Sequence, residues 1–194
     1  MKKIVLVIIG LIVLFAVVSG CNSYNNLVKL DVDVQTKWSN VETQYQRRAD
    51  LIPNLVNTVK GAAKFEQSTL TAVIEARASA SKITIDPDKL NEENIQKYQA
   101  AQGQITQALG KLMVLTENYP ELKATQQFSD LSAQLEGTEN RITVARKDFN
   151  DAVQVFNTKV RSFPTNLTAG IFGFSPKAAF KADAGAENAP KVEF

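Results

Sequence analysis

The residues able to do chemistry here are acids, arginines and one thiol: the chain holds 20 Asp+Glu, 22 Lys+Arg, a single cysteine and no histidine. Without imidazole, serine–histidine and cysteine–histidine nucleophiles, imidazole acid–base catalysis and His/Cys metal sites lack their working groups. Carboxylates alone could still serve as acid and base. Glu136, Glu139 and Asp148 in one helical stretch, with Glu92 and Glu93 in another, invite comparison with carboxylate-bridged di-metal bundles. Those sites also need Glu-x-x-His pairs from facing helices, so no catalytic residue, metal ligand or cofactor is expected.

Arg47, Arg48 and Asp50 form the most suggestive polar group. Two guanidinium groups beside a helix start could hold a phosphate, a carboxylate or an acidic partner. The plainer reading makes Asp50 a cap and leaves the arginines paired with nearby acids or facing water. Phe149-Asn150 and Phe156-Asn157 repeat at seven residues, which puts both asparagines on one face. They are expected to flank an apolar seam and fix its register. Trp38 is expected in the core or near a membrane interface.

Cys21 belongs to a different chemistry. Lys2 and Lys3 lead into fifteen uncharged residues, Ile4 to Val18, followed by Ser19, Gly20 and Cys21. As a helix those fifteen residues rise about 22 Å, short of a hydrocarbon core of about 30 Å. A basic start, a short apolar region and small residues at its end suit a secretory signal. Val18-Ser19-Gly20-Cys21 also resembles a bacterial lipobox, which makes Cys21 a lipid-attachment candidate. An amphipathic pattern starts at Leu27, close behind Cys21, which instead suits an uncleaved helix rising out of the bilayer. Both readings stand, and both leave Lys2 and Lys3 inside and the body outside.

With those two lysines set aside, residues 22–194 carry twenty basic and twenty acidic side chains. A balanced surface lacks the basic stripe of a nucleic-acid binder, so no nucleic-acid partner is expected.

Helices must position all these groups. Leu27, Leu30, Val34, Trp38, Val41 and Tyr45 recur at steps of three and four, the spacing of one helical face. Asp33 and Lys37 suit an exposed ion pair four apart. Pro53 predicts a break, with Asp50 capping a fresh start. A second helix would carry Leu55, Val56, Val59, Ala62, Ala63, Leu70 and Val73 to about Ser81, with Gly61 inside it. A loop at 82–89 follows, where Asp86 or Asp88 could open a third helix running from Leu90 to Tyr119-Pro120. Gly103 and Gly110 within it suggest a close helix crossing. The strongest pattern runs from Phe128 to Phe163, about 52 Å of helix that needs partners along its length, including self-association through the same seam. The Gly- and Phe-rich stretch 166–180 is expected to fold back as an ordered tail, the alternative being an exposed docking strip for lipid or a partner.

In fixed order, several motifs make the chain similar to the LemA family: Tyr24-Asn25, Trp38-Ser39-Asn40-Val41, Gln46 through Val56, Thr58-Val59-Lys60-Gly61, Tyr119 through Ala124, Leu135 through Ile142, Phe149 through Val153, and Phe163-Pro164 through Gly173-Phe174. The resemblance covers about residues 20–180. It implies a bacterial, membrane-bound, antiparallel helical protein with no assigned enzymatic activity, and it supplies no catalytic residues. The shorter apolar run and Cys21 depart from the family's usual anchor.

The expectation is therefore an all-α protein, an antiparallel bundle of long helices preceded by an N-terminal membrane segment. Residues 1–21 form the anchor or lipoprotein signal, 22–180 the bundle with its ordered tail, and 181–194 a disordered end. A non-enzymatic scaffold is expected at the cell membrane, its body extracytoplasmic, contacting a protein partner whose identity the sequence leaves open. An envelope-stress or signalling adaptor that contacts a membrane enzyme is the alternative, followed by a carboxylate-dependent hydrolase.

Overall fold

The structure is a computed structural model and describes residues 2–61 and 66–182. Helix α1 (Lys2–Lys60) runs unbroken for 59 residues, about 88 Å. Its apolar start holds a window of mean hydropathy 2.4, none of it buried. Further along, Leu27, Val34, Val41 and Leu55 are buried at multiples of seven, and Trp38, Tyr45, Ile52 and Val59 follow the same interval four residues out of step. That is the register of a helix packed along one seam.

The expected break at Pro53 does not occur. Proline lacks the N–H that would bond the carbonyl of Ala49 four residues back. Arg77 Nε donates to that carbonyl at 2.7 Å instead, and the helix continues. Asp50 therefore caps nothing; it is exposed within α1 and accepts from Gln46 Nε2 at 2.8 Å. Leu55, Val56 and Val59 belong to α1, which ends where the Gly61 N–H bonds the Thr58 carbonyl.

Helix α2 (Gln67–Ala80) returns alongside, burying Leu70, Val73 and Ala80. The expectations for Ala62 and Ala63 lie outside the described residues. Below α2 the chain descends to a 3-10 turn, Pro87–Lys89, capped by Asp86. Asn91, not either aspartate, caps helix α3 (Glu92–Thr116) by accepting from the Asn94 N–H. Gly103 and Gly110 are not at a close crossing: a Cβ on either would meet nothing within 4 Å.

A short helix α4 (Pro120–Lys123) turns the chain. Helix α5 (Gln126–Arg161), capped by Thr125, then descends along α1. Lys37 with Asp148, Trp38 with Phe149 and Arg48 with Glu139 pair the two helices in antiparallel order. Lys37 thus reaches across to α5, where an Asp33 pair was expected. Helix α6 (Thr165–Phe172) closes on Gly173, whose φ of +77° suits glycine. Residues 174–182 then run back up the bundle. The expected disordered end beyond residue 182 lies outside the described residues.

Candidate functional site

The seven-residue register of α1 puts Arg48 at a core position between Val41 and Leu55. On α3 the same register puts Gln102 between Ile95 and Leu109. Two polar residues therefore occupy apolar positions on neighbouring helices, and the fold brings them together. Arg48 is only 1% exposed. Its Nη1 donates to Thr106 Oγ1 at 2.9 Å and to Glu139 Oε1 of α5 at 2.5 Å. Its Nη2 donates to the Gln102 carbonyl at 3.1 Å and to Gln102 Oε1 at 2.8 Å. The guanidinium lies 5.1 Å from the Tyr45 ring centroid.

This layer divides the interior. On the side of the apolar segment, Leu27 to Tyr45 pack with Tyr98 and with Ile142 to Val160. On the far side, Ile52 to Val59 pack with Ala101 to Leu112 and with Phe128 to Leu135. A charge placed between two dry cores is tolerable only when paired and hydrogen-bonded. Any slip of one helix would leave it unpaired, so the layer specifies the register of three helices.

The cluster drawn from the sequence is thus split. Arg48 turns inward, while Arg47 and Asp50 are exposed on a surface groove of about 890 Å³ that Glu42, Tyr45, Tyr98 and Gln102 also line. Burial pushes the Glu42 carboxyl above its ordinary range. Burial, then the charges of Glu42 and Tyr45, drives the Tyr98 phenol far above its own, so it remains protonated. Sequence reasoning missed Gln102, Thr106 and the pairing of Glu139. The signal was available: the apolar register passes through Arg48 and Gln102 without a change of phase.

The acids weighed as metal ligands are spread apart. Asp148 meets Lys37 at 3.7 Å, Glu93 meets Lys97 at 2.6 Å, and Glu92 pairs with Lys181. Among the described residues no group of three or more His, Cys, Asp or Glu could hold a metal ion. Cys21 is exposed on α1, with helix on both sides of it.

Asn150 and Asn157, expected to tune the seam, grip the tail. Asn157 Oδ1 accepts from the Lys177 N–H at 2.8 Å and its Nδ2 donates to the Lys177 carbonyl at 2.8 Å. Asn150 makes the same pair of bonds with Phe180, at 2.9 and 3.1 Å. Seven helical residues advance about 10.5 Å and three extended ones about 10 Å, so the two spacings match. Phe180 is buried against Trp38 and Phe149, with centroids 5.9 and 5.5 Å away, and Lys177 pairs with Asp31 at 2.9 Å. Lys181, assigned from the sequence to the trailing end, is held as well: its carbonyl accepts from Gln99 and Arg146.

A family model described as the LemA family matches residues 37–194. Magnetosome protein MamQ 2 of Paramagnetospirillum magneticum is 29% identical over 175 residues, covering 81% of this chain and 64% of its own length. Magnetosome protein MamQ of Magnetospirillum gryphiswaldense is 27% identical over 172 residues, covering 78% and 62%. Protein LemA of Metamycoplasma hominis is 26% identical over 158 residues, covering 81% and 68%. The chain thus spans less than two thirds of the length of the magnetosome relatives it matches.

Proposed function

The chain belongs to the LemA family, and from that premise we propose that it is a membrane-tethered, non-enzymatic scaffold presenting a rigid helical surface to a protein partner outside the cytoplasm. The continuity of α1 carries this reading. One helix is both the apolar segment and the first rod of the bundle, so a partner bound at Arg47 would be held about 44 Å from Val18. The polar residues with chemical potential favour the same reading: Arg48 and Glu139 are committed to each other, and Asn150 and Asn157 to the tail. Arg47 and Asp50, exposed on the groove of α1, are the contact we assign to the partner. An uncleaved span or an acylated Cys21 would each support the bundle from the same side, and mass spectrometry of the mature N-terminus distinguishes an intact Met1 from a lipid-modified Cys21.

The test is a photo-cross-linking side chain at position 47 of the full chain in its native membrane. One dominant protein adduct is the expected result. The reading is overturned if no protein adduct forms at that position, or if the purified full chain turns over an ester, glycoside or phosphate.

A further inference from the structure

From Ser162 to Pro176 the chain runs fifteen residues without a charge, between Arg161 and Lys177. Helix α6 lies within this stretch. It packs Thr165, Thr168 and Ala169 inward. Leu167 and Ile171, four apart on the same helix face, remain open, with Phe163 before the helix and Phe172 at its end. Phe163 is 81% exposed, Ile171 78%, Leu167 60% and Phe172 58%. Four large apolar side chains at one end of a bundle exceed the scattered exposure of an ordinary surface.

Their height on the molecule says what covers them. The antiparallel pairs Lys37–Asp148, Trp38–Phe149 and Arg48–Glu139 set the stagger of α1 and α5, and extending it places Arg161 opposite Asn25. The Phe172 ring lies 4.7 Å from that of Tyr24. Tyr24 is six residues beyond Val18, where the apolar run of α1 ends, a rise of about 9 Å. Centred in a hydrocarbon core of about 30 Å, the run of about 22 Å ends about 4 Å inside the surface, so Tyr24 stands about 5 Å outside it, within the polar layer of the leaflet, about 5–8 Å deep. Lys159 and Arg161, in the last turn of α5, sit where anionic headgroups would be. The apolar run of α1 is also short for a full bilayer, and apolar side chains entering the same leaflet suit local thinning.

We propose that α6 is a second membrane contact: Leu167, Ile171, Phe163 and Phe172 enter the headgroup–acyl boundary of the leaflet from which α1 emerges and set the tilt of the bundle. The proposal rests on α1 being the membrane attachment.

The test uses the full chain carrying Cys21→Ser, which removes the thiol available for acylation and leaves the span as the anchor. It is reconstituted in bilayers of phosphatidylcholine with an anionic phosphatidylglycerol fraction. Single nitroxide labels are placed through Ile171→Cys, Val13→Cys within the span, and Ser129→Cys at the far, exposed end of α5. Collision with oxygen at position 171 should be about threefold higher, and with a water-soluble nickel chelate about tenfold lower, than at position 129. A lipid-like position 13 beside a water-like position 171 overturns this inference and leaves the tether intact. Water-like values at both positions overturn the two together. Spin–spin broadening at position 171 that disappears on dilution with unlabelled protein would show a second copy covering the face, and would also overturn it.

Discussion

Arg77 Nε donates to the carbonyl oxygen of Ala49 at 2.7 Å, replacing the N–H that Pro53 cannot offer. Replacing Arg77 by Gln should destabilise the protein by about 1–3 kcal/mol, because a carbonyl beside the core is left without a donor. In a Pro53→Ala background the restored backbone N–H at position 53 takes over the acceptor, and the same substitution should lose less than half as much. Chemical denaturation of the four proteins checks this, and equal losses in both backgrounds would break the proposed link.

Arg47 and Arg48 are adjacent in sequence and opposite in role. Arg47→Gln should leave the melting temperature unchanged. Arg48→Gln removes the buried hydrogen bonds to Thr106 and Gln102 while Glu139, its side chain 41% exposed, can turn to water, a loss of about 1–3 kcal/mol, or about 3–10 °C for a chain of this size. A comparable small shift for both would mean that the Arg48 layer contributes little.

The asparagine clamps should be separable from the fold of the bundle. Asn157→Ala removes two hydrogen bonds to the Lys177 backbone, about 2 kcal/mol, enough to make local opening of the tail more than tenfold more frequent. Trypsin cleavage after Lys177 and Lys181 should accelerate accordingly while circular dichroism keeps its helical amplitude. Unchanged cleavage would show that Phe180 alone holds the tail.

Gly110 is exposed within α3 and has room for a side chain. Gly110→Ala should stabilise the protein by about 1 kcal/mol through helix propensity alone. A thermal melt reads this directly, and destabilisation would place an unseen neighbour against that turn.

Glu42 introduces a pH dependence. Its folded-state pKa is raised above the ordinary 4.5 by burial, so its contribution is fully present below that value and declines as pH rises through the folded pKa. Glu42→Gln should therefore melt higher than the parent at pH 7, and the difference should vanish in mild acid. A constant difference across that range would remove burial of the charge as its cause.

The all-helical class, the long α5, the apolar N-terminal helix and the family were legible in the residues, because apolar spacing at three and four reports a buried helix face whatever it packs against. The same spacing passed through Arg48 and Gln102, yet charge and polarity disguised two core positions as surface. Local rules also failed at Pro53 and at Asn150 and Asn157. Each depended on a group far along the chain: Arg77 supplies the donor that proline lacks, and the backbone at Lys177 and Phe180 supplies what two side-chain amides were spaced to hold. A one-dimensional pattern records which face of each helix is apolar. Only the folded chain decides which distant donor meets which orphaned acceptor, because hydrogen bonds are short-ranged and directional while the hydrophobic pattern is neither.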